Sequence, residues 1–210
     1  PFSDTRNDLG IDATKDEGDI FNYNYKIHAS HLDAYAQLKF SLNKWNGFAA
    51  GNYINTNYQR NGLFQNERFL DNSLGQGEQI QFSNYSLKGG VAYKVTGRHW
   101  IRLNGGYLGR APFLQNVFIN PRENHEIVSE VQSETISTVD ISYFMRFPKL
   151  TGRMTGFYTR FKNTTDVNYF FVDAGVGSDF VQEVITDLDK LHMGIELGME
   201  YELSSSVKLS

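Results

Sequence analysis

The chain has 210 residues, and its 20 basic and 24 acidic side chains give a net charge of −4, which excludes the basic surface that a nucleic-acid-binding protein presents. The absence of cysteine excludes a disulfide scaffold, thiolate catalysis and thiolate metal ligation. A mean hydropathy of −0.44, without an apolar run near ~18 residues, excludes a membrane-spanning helix.

The chain begins with a polar, acidic stretch that shows neither helical nor strand periodicity, so residues 1–19 are expected to form a loop. Strand patterning starts after it. From Leu32 to Leu42 every second residue is apolar, as in a strand with one apolar and one polar face. The segment Asn43–Gly47 contains an Asn-Gly step, which predicts a hairpin turn before a looser strand over 48–58.

The same period-two patterning recurs along the rest of the chain, in segments joined by short turns. The further predicted strands cover 85–95, 100–107, 138–147, 153–161 and 192–203, and a last strand opens at Val207. Short turns are expected at 96–98, 148–151 and 204–206, whereas 60–82, 111–133 and 164–189 are expected to be long loops.

This alternation of short and long connections is typical of a transmembrane β-barrel, with short periplasmic turns and long extracellular loops. Long structureless loops are uncommon in compact soluble domains. The predicted fold is therefore all-β, with antiparallel up-and-down transmembrane β-barrel strands. We expect about seven or eight strands, depending on whether 20–29 forms one, in a single barrel segment that spans residues 1–210.

The two faces of each predicted strand differ in character, and in a membrane barrel the apolar face meets lipid while the polar face lines water. The residues expected to face lipid are Val139, Ile141, Tyr143, Met145, Ile195, Leu197, Met199 and Tyr201. The residues expected to line the lumen, in weak cross-strand ion pairs, include Arg102, Asp140, Ser142, Arg146, Arg160, Glu196 and Glu200. The aromatic residues near strand ends, expected at the membrane interface, are Trp45, Phe48, Tyr93, Trp100 and Phe147.

The stretch Tyr107-Leu108-Gly109-Arg110-Ala111-Pro112-Phe113-Leu114, followed by Asn120-Pro121, resembles a segment of TonB-dependent outer-membrane receptors. In that family a strand runs into an Arg-Ala-Pro step and then into a loop that contains Pro and Asn. The likeness continues through Ser133-Glu134-Thr135 and the strand after it, and His192 to Tyr201 is similar to a later Gly-x-Glu strand. The resemblance covers residues 85–210.

The resemblance implies a bacterial outer-membrane transport protein that takes up a nutrient such as a glycan or a siderophore. It implies outer-membrane lipid and the TonB system as partners, the latter through parts of the receptor that this chain lacks. The Asn- and Tyr-rich loops are similar to the Bacteroidetes-type branch, which implies a surface lipoprotein as a further partner. Such receptors have a plug and ~22 strands, so this chain is expected to be an internal piece of a larger barrel.

No enzymatic site is predicted, and no cofactor or metal is expected. The run from Glu123 to Glu126 contains His125 but lacks the second histidine of a zinc-protease helix. Asp187, Asp189 and Glu183 lie in an expected loop, where they lack the rigid support that a glycosidase pair requires. No Gly-x-Ser-x-Gly elbow occurs.

Two other functions fit the patterning. One is a soluble β-sandwich that binds carbohydrate or another ligand, and the other is a small eight-stranded outer-membrane adhesin or structural barrel. For the transport barrel, as for the sandwich, ligand contacts are expected on the long loops. The aromatic candidates for these contacts are Phe64, Phe69, Phe113, Phe118, Tyr169, Phe170, Phe171 and Phe180, although isolated loop aromatics commonly serve to anchor the loops instead.

Overall fold

A computed structural model describes residues 2–4, 13–20, 23–173, 178–204 and 207–210. The strands are β1 (Phe2–Asp4), β2 (Ala13–Lys15), β3 (Tyr25–Leu42), β4 (Trp45–Gly62), β5 (Gly75–Lys94), β6 (His99–Arg110), β7 (Glu134–Arg146), β8 (Leu150–Asp173), β9 (Ser178–Ser204) and β10 (Val207–Leu209). A single 3₁₀ turn spans Leu114–Asn116. Within these ranges no helix has the length and apolar character needed to cross a membrane.

Strands β3 to β10 form one sheet in which every strand pairs antiparallel with its neighbours in sequence. This up-and-down order confirms the predicted all-β fold of a partial barrel. The short strands β1 and β2 pair with each other, so strand pairing occurs within the segment 1–19, where a loop was expected. The turn at 204–206 lies largely outside the described residues.

The first tight turn of the sheet differs in detail from the prediction. Leu42 pairs with Trp45, so the turn consists of Asn43 and Lys44, and Asn43 adopts a positive φ of 51°. The Asn-Gly step lies inside β4 instead. A Cβ at Gly47 would lie 2.9 Å from the backbone oxygen of Gly90 and would overlap the ring of Phe40, so this position favours glycine.

The connections at the other end of the sheet are less uniform than expected. Residues 63–74 and 111–133 connect strands, but the predicted loop 164–189 is wrong, because β8 and β9 continue through it as a hairpin. Register shifts between Phe161 and Asp166 interrupt the pairing, and Asn163 and Asp187 have positive φ. These bulges change which face successive residues occupy, so the alternation that marks a strand is lost from the sequence.

Burial across the sheet is the reverse of that in a soluble domain. On β7, Ile141 is 56% exposed whereas its neighbour Ser142 is 5% exposed. The buried hydrophobic residues among those described are only Phe82, Val117, Phe118 and Val128, near the 111–133 loop. We call the apolar, exposed side of the sheet the outer face and the polar side the inner face.

Candidate functional site

The residues predicted to face lipid share the outer face. Cross-strand partners lie on the same face of a sheet, and the register aligns Ile141 with Gly156 and Gly156 with Ile195. Met145 is half-buried, and the other predicted residues are exposed, with Leu197 at 72%. This continuous exposed apolar surface has the composition expected of a surface in contact with lipid.

The predicted interface aromatics divide between the two faces. Trp45 and Tyr93 are cross-strand partners on the outer face, with ring centroids 4.5 Å apart. Phe147 packs edge-on against His99, at 5.4 Å, beside the same end of the sheet. In contrast, Phe48 and Trp100 have the inner-face parity.

Trp100 lies near the short turns but within the inner wall. It stacks on Phe144 with ring centroids 5.3 Å apart, and the Arg102 guanidinium lies 5.1 Å from the Phe144 ring. Strand-end position alone cannot distinguish the two faces, which is why the sequence assigned Trp100 to the membrane interface.

A second aromatic row on the outer face was missed from the sequence. Tyr53 pairs with Tyr85 at 5.1 Å between ring centroids, eight residues along the strands from Trp45 and Tyr93. Eight residues span ~27 Å of strand, or roughly 21 Å across a bilayer after tilting. This separation is close to the height of the apolar band of such barrels. The sequence contains the signal, because on each strand the two aromatic residues are eight positions apart and therefore lie on the same face.

The inner face carries the predicted polar wall. Asn104 Nδ2 donates to Asp140 Oδ1 at 2.9 Å, Arg153 lies 3.7 Å from Glu196, and Lys208 lies 2.9 Å from Glu200. Ser142 and Arg146 have the same parity as Asp140. These ion pairs are solvent-exposed, so each contributes little to stability.

Arg160 was assigned to the wrong face. Its register partners are Ser137 and Leu191, which have outer-face parity, and it forms an ion pair with Asp189. Its charge suggested the inner face. However, Arg160 follows Tyr158 by two residues on the same strand and therefore lies on the same, outer face.

An ion pair closes the base of the 111–133 loop. Arg110 and Glu134 are cross-strand partners at the two ends of the loop, and Arg110 Nε donates to Glu134 Oε2 at 2.6 Å. Glu134 is 1% exposed, so the carboxylate depends on this contact for compensation of its charge. The same guanidinium lies 4.6 Å from the ring of Phe113.

Arg60, on the inner side of β4, joins two loops to the sheet. Its Nε donates to Pro121 O at 2.7 Å, and its Nη1 donates to Ser73 O and to His125 Nδ1, both at 2.9 Å. Arg60 is 1% exposed, and among the described ion pairs it has none. Burial lowers the pKa of Arg60, and burial followed by the nearby Arg60 charge lowers the pKa of His125.

The 111–133 loop also contacts strands on its other side. Asn116 Nδ2 donates to Thr165 O at 2.7 Å, and the Tyr169 hydroxyl donates to Ile119 O. Tyr58 donates its hydroxyl to Pro112 O at 3.3 Å, and Val117 and Phe118 pack against Phe82. One loop therefore connects β4 and β8, which are separated by three strands, and we call it the bridging loop.

The candidate ligand aromatics occupy different environments. Phe113 is 56% exposed, whereas Phe118 is buried in the core of the bridging loop and serves to anchor it. Tyr169, Phe170 and Phe171 are exposed, but they lie on β8 rather than on a loop. Phe64 and Phe69 are half-buried in the 63–74 connection, and the side chain of Phe180 lies outside the described residues.

Two side chains of the run from Glu123 to Glu126 are held by arginines. Glu123 is paired with Arg68 at 3.4 Å, and His125 is held by Arg60. Over the part of the chain that the structure describes, no group of three or more His, Cys, Asp or Glu side chains is arranged to hold a metal ion.

Comparisons with known proteins place this geometry in context. The model of a family described as "TonB dependent receptor-like, beta-barrel" matches residues 2–210. No curated protein matches the sequence significantly. Among solved structures, "Copper transporter OprC" aligns with a TM-score of 0.68 and 14% identity, over 96% of this chain and 31% of that one. The chain thus spans about a third of that transporter's length.

Proposed function

The chain belongs to the TonB-dependent receptor-like β-barrel family of bacterial outer-membrane proteins, and from that premise we propose that it supplies part of the wall and outer loops of an outer-membrane transporter. The family consists of transporters rather than enzymes. The proposed activity is TonB-dependent uptake of a nutrient too large to diffuse through an open pore.

The reversed burial of the sheet carries this proposal. A soluble β-sandwich buries its apolar faces against a second sheet, but here the apolar face is exposed and only one large sheet is present among the described residues. A closed eight-stranded adhesin would pair its first and last strands, whereas β3 and β10 are not paired with each other. A wall segment of a larger barrel fits both observations.

The cargo and the partners form the finer part of the proposal. The exposed Phe113 beside Arg110, and the exposed Tyr169, Phe170 and Phe171, offer ring faces that stack on a sugar or on an aromatic chelator. We propose a glycan, a siderophore or a similar nutrient as cargo. The proposed partners are the TonB system, acting through other parts of the receptor, and a surface lipoprotein as in Bacteroidetes-type systems.

Uptake by cells that produce the full-length protein tests the proposed transport. The probes are a radiolabelled ferric siderophore, a labelled malto-oligosaccharide and, because of the structural neighbour's name, copper. We expect accumulation of one probe that stops when TonB is deleted or the proton gradient is collapsed. Equal accumulation with and without TonB, or no difference from cells lacking the protein, would contradict the proposal.

The role of the exposed aromatics is tested separately. Ser substitution of Tyr169, Phe170 and Phe171 in the full-length protein is expected to weaken binding of the transported probe without changing barrel assembly, measured by heat-dependent gel mobility. The matched control is Phe118→Ser, which is expected to disturb the bridging loop because Phe118 is buried. Unchanged probe binding in the triple variant would remove these residues from the site.

A further inference from the structure

The inner face has a pocket near the short-turn end of β3 to β6. The pocket has a volume of about 270 Å³ and is formed by two adjacent rows of cross-strand partners. The row farther from the turns consists of Lys39, Phe48, Gly90 and Asn104. The row nearer the turns contributes Asn46, Ala92 and Arg102. Because these side chains belong to the inner face, the pocket opens into the lumen.

Small residues of β5 form the floor of this pocket. Gly90 and Ala92 lie next to each other on the inner face of β5, between larger side chains of β4 and β6. A Cβ at Gly90 would overlap Asn104 Oδ1 and the ring of Phe48. The glycine therefore lets both side chains reach over the strand, which places an amide oxygen and an aromatic ring at the wall of the pocket.

Two amides of the pocket are oriented by neighbouring side chains. Ser41 Oγ donates to Asn46 Oδ1 at 2.7 Å, so Asn46 Nδ2 is the atom that can donate to a ligand. Asn104 Nδ2 donates to Asp140 Oδ1 at 2.9 Å, so Asn104 Oδ1 is the atom that can accept from one. The pocket thus offers a donor and an acceptor in fixed directions, and this combination suits the hydroxyl groups of a ligand.

Two cations make the pocket positive. Lys39 and Arg102 are exposed, and neither forms an ion pair among the residues that the structure describes. The Arg102 guanidinium is held 5.1 Å from the ring of Phe144, on which Trp100 stacks. None of the described residues that line the pocket carries a carboxylate. A guanidinium held in place by stacking is well suited to bind a carboxylate through paired N–H donors.

We propose that this pocket binds a carboxylated sugar unit, such as a uronic acid, of an acidic glycan that passes along the wall. The carboxylate contacts Lys39 and Arg102, the hydroxyls contact Asn46 and Asn104, and the sugar ring packs against Phe48. The proposal rests on the proposed transport function, because it names a class of cargo.

The size and the composition of the pocket favour this ligand over simpler ones. Its volume is below the roughly 300–1,000 Å³ of sites that enclose a drug-sized ligand, so it suits one sugar unit of a chain that continues into the lumen. An inorganic anion would use the two cations alone, and a neutral sugar would use only the amides and the ring. The presence of both sets of groups in one pocket favours a ligand that has both parts.

The test uses the full-length protein purified in detergent, with binding measured by isothermal titration calorimetry. The probes are trigalacturonic acid, the neutral galactotriose and inorganic phosphate. Trigalacturonic acid is expected to bind about tenfold or more tightly than galactotriose, and the double variant K39Q/R102Q is expected to remove this difference. Asn104→Ala keeps both cations, so it is expected to weaken binding of trigalacturonic acid by about threefold to tenfold and to leave phosphate binding unchanged.

Lys190→Gln provides the matched control. Lys190 is an exposed cation of the inner face on β9, outside the pocket, and its substitution is expected to leave the affinity for trigalacturonic acid unchanged. Equal affinities for the two trisaccharides would overturn the proposal. So would unchanged affinity in the double variant, which alters only exposed side chains and is therefore expected to fold.

Two other occupants of the pocket give different results. If the pocket is only an anion site, phosphate competes with trigalacturonic acid at equal affinity, which would overturn the proposal. If an acidic side chain of the plug fills the pocket, no probe binds and the double variant has a lower melting temperature than the Lys190→Gln control. That result would also overturn it.

Binding to the purified protein does not require TonB, so this test is separate from that of transport. Selective binding that depends on Lys39 and Arg102 would support the site even if uptake were independent of TonB, which would contradict the proposed function alone. TonB-dependent uptake of another probe, without selectivity for trigalacturonic acid, would contradict only the inference about this pocket.

Discussion

At the scale of single residues, the assignment of the outer face predicts the cost of a charge placed in it. Tyr201 and Tyr158 lie toward the two ends of the apolar band, and Tyr158 pairs with Met193. Leu197 is four residues from Tyr201 and four from Met193, so it is central in the band. Leu197→Arg in the full-length protein is expected to lower the free energy of unfolding in a bilayer by about 2–4 kcal/mol, measured by denaturant titration.

The adjacent inner-face residue supplies the control. Glu196→Gln removes an exposed ion pair with Arg153 and is expected to change the free energy of unfolding by less than about 1 kcal/mol. Tolerance of Leu197→Arg together with a large loss at Glu196 would show that inner and outer faces are reversed.

His125 makes the docking of the bridging loop dependent on pH. Its Nδ1 accepts a hydrogen bond from Arg60, so the docked state requires a neutral ring. Burial lowers the pKa of His125 below its ordinary 6.5. The ring therefore binds a proton more readily when the loop is undocked and His125 is exposed to water. The docked loop is therefore fully stabilised above pH ~6.5 and loses stability as the pH falls below it.

Amide hydrogen exchange over 111–133 in the full-length protein measures this dependence. Protection is expected to fall between pH values of about 7.5 and 5, after correction for the intrinsic exchange rate. His125→Asn keeps an acceptor for Arg60 but does not titrate, so its protection is expected to be independent of pH. A pH dependence that persists in this variant would contradict the assignment.

At the scale of elements, unbroken patterns were predictable and interrupted ones were not. The alternation from Leu32 to Leu42 predicted β3 because no bulge disturbs it. The β8–β9 hairpin was missed because the register shifts near Thr164 change the face of every later residue. The role of Arg60 in joining two loops to the sheet could not be predicted from the sequence. Its partners Ser73, Pro121 and His125 lie 13 to 65 residues away.

The Arg110–Glu134 ion pair at the base of the bridging loop is expected to stabilise the docked state of that loop. Glu134→Gln keeps the side-chain size but leaves the hydrogen bond without its charge assistance, and we expect the loop to lose about 1–3 kcal/mol of docking free energy. The measurement is limited proteolysis of 111–133 in the full-length protein, with faster cleavage expected. Glu123→Gln, which breaks only the exposed contact with Arg68, is expected to leave cleavage unchanged.

At the scale of the whole molecule, the sheet has two edges with unpaired backbone groups. Among the residues that the structure describes, β3 pairs on one side only, with β4, and β9 pairs with β10 only from Tyr201 to Ser204. Unpaired strand edges promote association and cannot face lipid. Residues 1–210 refolded alone in detergent micelles are therefore expected to form oligomers by light scattering, with monomeric full-length protein as the control. A stable monomer with both edges protected would favour the small eight-stranded barrel.

The β8–β9 hairpin continues well past the membrane surface. From Arg160 to Asp173, β8 advances by thirteen residues with bulges between Phe161 and Asp166, which corresponds to at most ~43 Å along its length and roughly 33 Å above the lipid after tilting. An antibody, a bacteriophage or a neighbouring cell would encounter this projection before it reached the bridging loop below. The hairpin is thus the part of this chain on which recognition from outside acts first, and sequence variation driven by such recognition is expected to concentrate there.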